Sequence, residues 1–134
     1  MNKKDKELLL IDLSARINYK VKCKSDIFKK KNLVGMDGDG LIFWSRDENN
    51  KACYDVLEPS KWNVKPYLRP MSSMTEEEKK IYKTKQTVIF DFKNIKHYID
   101  NYNSLDYLNS IHIDYRGLIP RGLALEAPEG MYKI

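Results

Sequence analysis

Tyr19-Lys20-Val21-Lys22-Cys23-Lys24 alternates without a break, and its reading decides the fold class. Successive strand residues point to opposite faces, so Tyr19, Val21 and Cys23 fall on one side and Lys20, Lys22 and Lys24 on the other, as in a strand half buried and half wet. Beyond a lysine-rich turn, Leu33-Val34-Gly35-Met36, Asp37-Gly38-Asp39-Gly40 and Leu41-Ile42-Phe43-Trp44 read as strand, turn and strand, the glycines supplying positive φ. Asp47-Glu48-Asn49-Asn50 marks a further turn before a strand over Ala52 to Leu57. On the N-terminal side, residues from about Lys4 to Arg16 read as a helix, with Leu9 and Leu13 on one side and Asp12 and Arg16 spaced to pair on another. The first half is thus a meander of about four short antiparallel strands behind one helix.

Pro59, Pro66 and Pro70 forbid a continuous helix between Glu58 and Met74, and each removes a backbone donor, so this part is expected to cross the domain as extended chain without a long ladder. Thr75 and Glu78 have capping-box spacing ahead of a helix from Glu76 to about Lys83. Thr87 to Phe92 reads as a buried strand. Helical patterns follow at Ile95 to Tyr102 and, with Ser104 as N-cap, at Leu105 to Ile111, where Leu105, Leu108 and Ile111 share a face. The punctuated apolar run Leu118 to Leu125 is expected to pack over the sheet as a broken helix or turn. The expectation is a single α+β domain over 1–134: a small antiparallel meander flanked by an N-terminal helix and C-terminal helices.

Composition agrees with one folded unit. A chain of 134 residues with 42% hydrophobic and 32% charged residues is too apolar for disorder and too evenly charged for a membrane protein. The apolar run Leu8-Leu9-Leu10-Ile11 stops at Asp12, far short of the roughly 20 residues a membrane helix needs, so a soluble, cytoplasmic protein is expected. Cys23 and Cys53 stand apart without zinc or disulfide spacing. The net charge of +5 is local: Lys20, Lys22, Lys24, Lys29, Lys30 and Lys31 against Asp26 give six minus one, the whole excess. Such a patch suits phosphates, anionic ligands or acidic proteins, or it is an exposed lysine-rich edge that discourages aggregation.

Familiar catalytic arrangements are not assembled. There is no dinucleotide fingerprint and no phosphate loop. Asp37-Gly38-Asp39-Gly40 resembles the start of a calcium loop, but Leu41 occupies the third ligand position and no closing glutamate follows, which leaves a plain turn as the better account. His97 and His112 lie outside signature spacings, so core or helix-end roles outweigh base catalysis or metal ligation, although an enzyme using them with nearby acids stays open. No cofactor or metal site is expected.

The segment from Trp62 to Met74 is richer. It combines Trp62 and Tyr67, Lys65 and Arg69, and Ser72 and Ser73 on a proline-stiffened backbone just before a helix N-terminus. Aromatics stack on bases, a guanidinium grips phosphate bidentately, and hydroxyls with free amides complete an anion cradle. The competing account is that these residues only pin a crossing segment to the core. Tyr115 and Arg116, in Asp114-Tyr115-Arg116-Gly117, offer stacking and charge in one turn, unless Arg116 pairs with an acid such as Asp114 or Glu126.

Three stretches carry a resemblance: Leu8 to Arg16; Lys-Pro-Tyr-Leu-Arg-Pro-Met-Ser-Ser-Met-Thr-Glu-Glu-Glu at 65 to 78; and Asp114 to Ile119 with Gly122 to Pro128. Through them the chain resembles a family of small proteins encoded by phages and prophages of Bacteroides-type bacteria. It departs from that family at Ile17-Asn18-Tyr19-Lys20, where members carry a Leu-Pro-Tyr-Gly turn. The resemblance implies no established activity. It implies a phage accessory protein acting in an infected bacterial cell, a setting in which small proteins antagonise host defence.

Together these readings lead to a binder without turnover. The first expectation is a homo-oligomer that sequesters a small nucleotide immune signal, of cyclic-nucleotide or ADP-ribose type, through Trp62, Lys65, Tyr67, Arg69, Ser72, Ser73, Tyr115 and Arg116. The second is a nucleic-acid-binding small β domain using Lys20, Lys22 and Lys24, although the alternation sets Tyr19 opposite the cations and leaves the lysine face without aromatics. A third is a protein-binding inhibitor or virion component.

Overall fold

The computed structural model describes residues 1–132, in which helix α1 (Lys3–Arg16) comes first. Asn2 caps it by accepting the Asp5 N–H, which satisfies one of the free amides of the first turn. A 3₁₀ turn over Ile17–Tyr19 follows and is closed by Lys20 at φ 53°, ψ 48°. That left-handed corner suits glycine, and a side chain there costs about 1–2 kcal/mol. The expected strand at 19–24 therefore begins later, as β1 (Lys22–Lys24). Tyr19 instead donates its hydroxyl to the Asp106 carboxylate.

The meander continues through β2 (Lys31–Asp37), β3 (Gly40–Arg46) and β4 (Ala52–Leu57), each antiparallel to its predecessor. Gly40 is required at the tight β2–β3 turn, because at φ 145° a Cβ would collide with the Leu57 carbonyl. A short helix α2 (Pro59–Trp62) leads to β5 (Lys65–Pro70), then α3 (Glu76–Lys85), β6 (Thr87–Phe90), β7 (Lys96–Ile99), α4 (Tyr102–Ser110), β8 (Ile113–Asp114) and β9 (Leu125–Glu126). The result is an α+β domain with a mostly antiparallel sheet, an N-terminal helix and C-terminal helices.

The proline-containing crossing is a strand after all, and it is the hub of the sheet. β5 pairs with β1 at Cys23–Pro66 and Lys24–Lys65, with β8 in parallel at Arg69–Ile113 and Pro70–Asp114, and with β9 in parallel at Tyr67–Leu125 and Leu68–Glu126. Each partner holds only two residue pairs, so no long run of donors is asked of a strand that lacks two of them. Where β1 ends its pairing, the Tyr132 hydroxyl takes over, accepting the Lys22 N–H at 2.9 Å and donating to the Tyr67 carbonyl at 2.7 Å.

The main core is built by Leu9 and Leu13 of α1 against Val21, Cys23, Leu33, Leu41, Phe43, Leu57 and Leu68 of the sheet, closed by Leu118 and Leu123. A second, smaller core joins Met74, Leu108, Ile111 and Ile113, with Tyr82, Leu105 and Tyr115 against it. Between α1 and β8 lies a fully buried ion pair. Arg16 Nε and Nη2 donate to the two Asp12 carboxylate oxygens at 2.8 and 3.0 Å, Nη2 also reaches the Ile113 carbonyl at 2.7 Å, and Arg116 donates to Asp12 at 2.8 Å.

Two expectations about 87–102 are corrected. The strand thought buried is exposed at every residue of β6, and the residues read as a helix from Ile95 form β7, its hairpin partner. The turn explains this: the Asp91 carboxylate accepts the Lys93 and Ile95 N–H groups while Asn94 adopts φ 61°, so the chain reverses where periodicity alone allowed a helix to start. α4 is capped by Asn101 rather than Ser104, which instead returns its hydroxyl to the Asn101 N–H as the N3 half of the box.

Truncating one partner of a buried, hydrogen-bonded pair strands the other charge, so Asp12→Ala is expected to lower the free energy of unfolding by about 3–5 kcal/mol. Urea unfolding followed by circular dichroism reads this directly. A loss under about 1 kcal/mol would show that the pair is not the anchor it is taken to be.

Candidate functional site

The residues of the Trp62–Met74 segment are engaged within the fold rather than gathered around one cavity. Trp62 packs against the main core, with the Lys61 ammonium 5.7 Å from its ring centroid. Arg69 is bidentate to Glu78 at 2.8 and 2.7 Å and also donates to the carbonyls of Ser73 and Ile111. Glu78 closes the predicted capping box with Thr75. The Arg69 guanidinium, aided by Thr75, holds the Glu78 carboxyl below its ordinary range despite burial. Ser73 donates to the Pro70 carbonyl, Ser72 is exposed, and the Tyr67 hydroxyl donates to the Lys29 carbonyl. Arg116 pairs with Asp12, not with Asp114 or Glu126, and Tyr115 lies against both Arg16 and Arg116. Asp114 instead accepts the Leu118 and Ile119 N–H groups, folding the turn that follows.

A cleft of about 720 Å³ does open beside Arg69 and Ser73, between the start of α3 and the segment after β9. Its rim carries Glu77, Glu126 and Glu129, while the one guanidinium in its wall is already neutralised by Glu78. The sign is wrong for phosphate. Behind it, His112 stacks on Tyr132 with ring centroids 3.7 Å apart. Burial, with Arg16, Arg69 and Lys22 nearby, pushes the His112 imidazole down to about 4, so it is neutral at physiological pH. His97 lies elsewhere, on the hairpin beside Asp91. Among the described residues no three His, Cys, Asp or Glu side chains are grouped to hold a metal.

The opposite face of the meander has a different character. Residues directly paired across antiparallel strands share a face, and the pairs Tyr54–Trp44, Trp44–Asn32 and Asn32–Lys22 therefore make one row across β4, β3, β2 and β1. Continuing the Cys23–Pro66 register by one pair brings Tyr67 of β5 to the end of that row. One pleat further along, Arg46 of β3, Lys24 of β1 and Lys65 of β5 form a second row, and Lys30, just ahead of β2, falls on the same line. Lys22 bonds Asn32 at 3.0 Å and is held below its ordinary range by partial burial and by the charge of Lys30. The Arg46 guanidinium sits 5.4 Å from the Trp44 ring centroid. Tyr54 is 64% exposed.

No protein-family model, no curated protein and no solved structure matches this chain.

The lysine face is thus not without aromatics. The strand that carries Lys22 and Lys24 has none, but its neighbours supply Trp44, Tyr54 and Tyr67, which only strand register reveals. Lys20 leaves the row, since it forms the left-handed corner before β1. Of the expected ligand residues, Lys65 and Tyr67 belong to this face, whereas Arg69, Ser73, Tyr115 and Arg116 serve internal bonds.

The buried His112 gives a pH signature. Its folded-state value of about 4 lies below the ordinary 6.5, so the unfolded chain binds the proton more readily. Stability is then full above pH 6.5 and falls as pH drops toward about 4, by about 3 kcal/mol over that window. Urea midpoints measured across it should show the slope, and His112→Phe should flatten it. An unchanged slope in that variant would assign the effect to another group.

Proposed function

We propose that this protein binds single-stranded nucleic acid across the open sheet face, without turnover. The observation that carries the reading is the pair of parallel rows: Tyr54, Trp44 and Tyr67 as stacking surfaces, with Arg46, Lys30, Lys24 and Lys65 one pleat away as phosphate partners. Base stacking tolerates any sequence, and a line of cations tracks a backbone. Five strands at about 4.8 Å spacing span roughly 19 Å, enough for several nucleotides rather than one. A small nucleotide signal held by the Trp62–Met74 segment is the weaker reading, because Arg69 is neutralised by Glu78 and the adjacent cleft is acidic. In the phage setting that the resemblance implies, the role is sequestration or coating of nucleic acid in the cytoplasm of the infected cell, by a homo-oligomer. No helix among the described residues is long and apolar enough to cross a membrane.

Fluorescence anisotropy with a labelled single-stranded oligonucleotide tests this. Four cation–phosphate contacts at about 0.7 each give a slope of log affinity against log salt of about −3. Lys24→Ala with Lys65→Ala should make the slope shallower by about 1.4. Tyr54→Ala and Trp44→Ala should each weaken binding roughly 5- to 150-fold, the range for losing one stacked base. A flat salt profile, or affinity unmoved by the aromatic changes, sinks the proposal. Saturable calorimetric binding of a mononucleotide signal with no oligonucleotide binding would return the reading to nucleotide sequestration.

A further inference from the structure

We infer that the β6–β7 hairpin is a dimerisation arm, whose occupant is the β6 edge of a second copy of this chain. The hairpin stands apart from both cores. β6 pairs only with β7 among the described residues, and the two strands form a separate two-stranded sheet exposed along its whole length. A two-stranded ribbon alone is marginal in water. This one nonetheless displays Val88, Ile89, Phe90, Phe92, Ile95, Tyr98 and Ile99 to solvent, with Phe92 at the tip 96% exposed.

Which edge is paired follows from charge. β7 carries Lys96 and His97, the device by which proteins blunt an open edge, whereas Thr87-Val88-Ile89-Phe90 has neither charge nor proline. Two β7 edges meeting would bring Lys96 and His97 of both copies onto the seam. Two β6 edges meet without charge, and an antiparallel strand pairs with itself about a two-fold axis. The product is a four-stranded ribbon whose outer edges are both β7, so association closes at two copies instead of propagating.

Pairing along β6 sets Val88, Ile89 and Phe90 of the two copies side by side, so that their apolar side chains shelter one another across the new seam. The turn is already rigid through Asp91 and Asn94, so little ordering is added on association.

Sedimentation equilibrium of the full chain should give a mass twice 15.8 kDa, in a monomer–dimer equilibrium that no higher species joins. The double variant Ile89→Lys with Phe90→Lys should be monomeric, with the far-ultraviolet circular dichroism of the wild type. Hydrogen exchange on the unmodified protein provides a reading that needs no variant: amides of 87–90 should gain protection as concentration rises through the dimer transition. A wild type that stays monomeric at ~100 µM overturns the inference. So does a dimer that survives the double variant, or exchange at 87–90 that is indifferent to concentration.

Discussion

Asp12 lies fully buried in α1 and is met there by two guanidinium groups, one from its own helix and one from the turn after β8. A carboxylate in that position is tolerable only if it is paired and fully hydrogen-bonded. The partners it requires lie far apart along the chain. Arg16 also grips the Ile113 carbonyl, so one charge cluster sets the helix against β8, and through β8 against β5. The apolar packing of Leu9 and Leu13 holds α1 to the sheet. The ion cluster determines where along the sheet it sits.

β5 converts that anchoring into a single sheet. It meets β1, β8 and β9 over two pairs each, and it alternates Pro66 and Leu68 toward the core with Lys65 and Tyr67 outward. The same strand thus supplies the middle of the core and the last column of the exposed platform. Further along, Arg69 is drawn into the Thr75–Glu78 cap, which fixes the start of α3 at the end of the strand. The features that look ligand-seeking in the sequence divide accordingly: Lys65 and Tyr67 lie on the outer face, Trp62 packs on the main core, and Arg69 with Ser73 holds the start of α3.

Local patterns were legible where one periodicity had a single interpretation. The hairpin through Asp37-Gly38-Asp39-Gly40, the strand at Ala52–Leu57 and the capping box at Thr75 and Glu78 follow from turn chemistry, alternation and spacing. The strand role of Lys65–Pro70 was hidden because proline content argues against ladders in general, and only the two-pair contacts show why it does no harm here. Val88-Ile89-Phe90 looked buried because exposed apolar strands are rare, not because its own residues require a core. The platform was out of reach for a different reason. Trp44, Tyr54 and Lys24 are distant in sequence and unremarkable one by one, and they become a surface only through cross-strand register.

The phenol of Tyr132 closes the seam between β1 and β5, so what joins the two halves of the sheet at that point is a side chain rather than a ladder rung. Lys22 and Tyr132 are 110 residues apart. The sheet therefore contains a removable pin: with a phenylalanine at 132 the strands would keep their paths, yet one backbone donor and one backbone acceptor at the middle of the sheet would be left facing a gap too wide for them to bond directly.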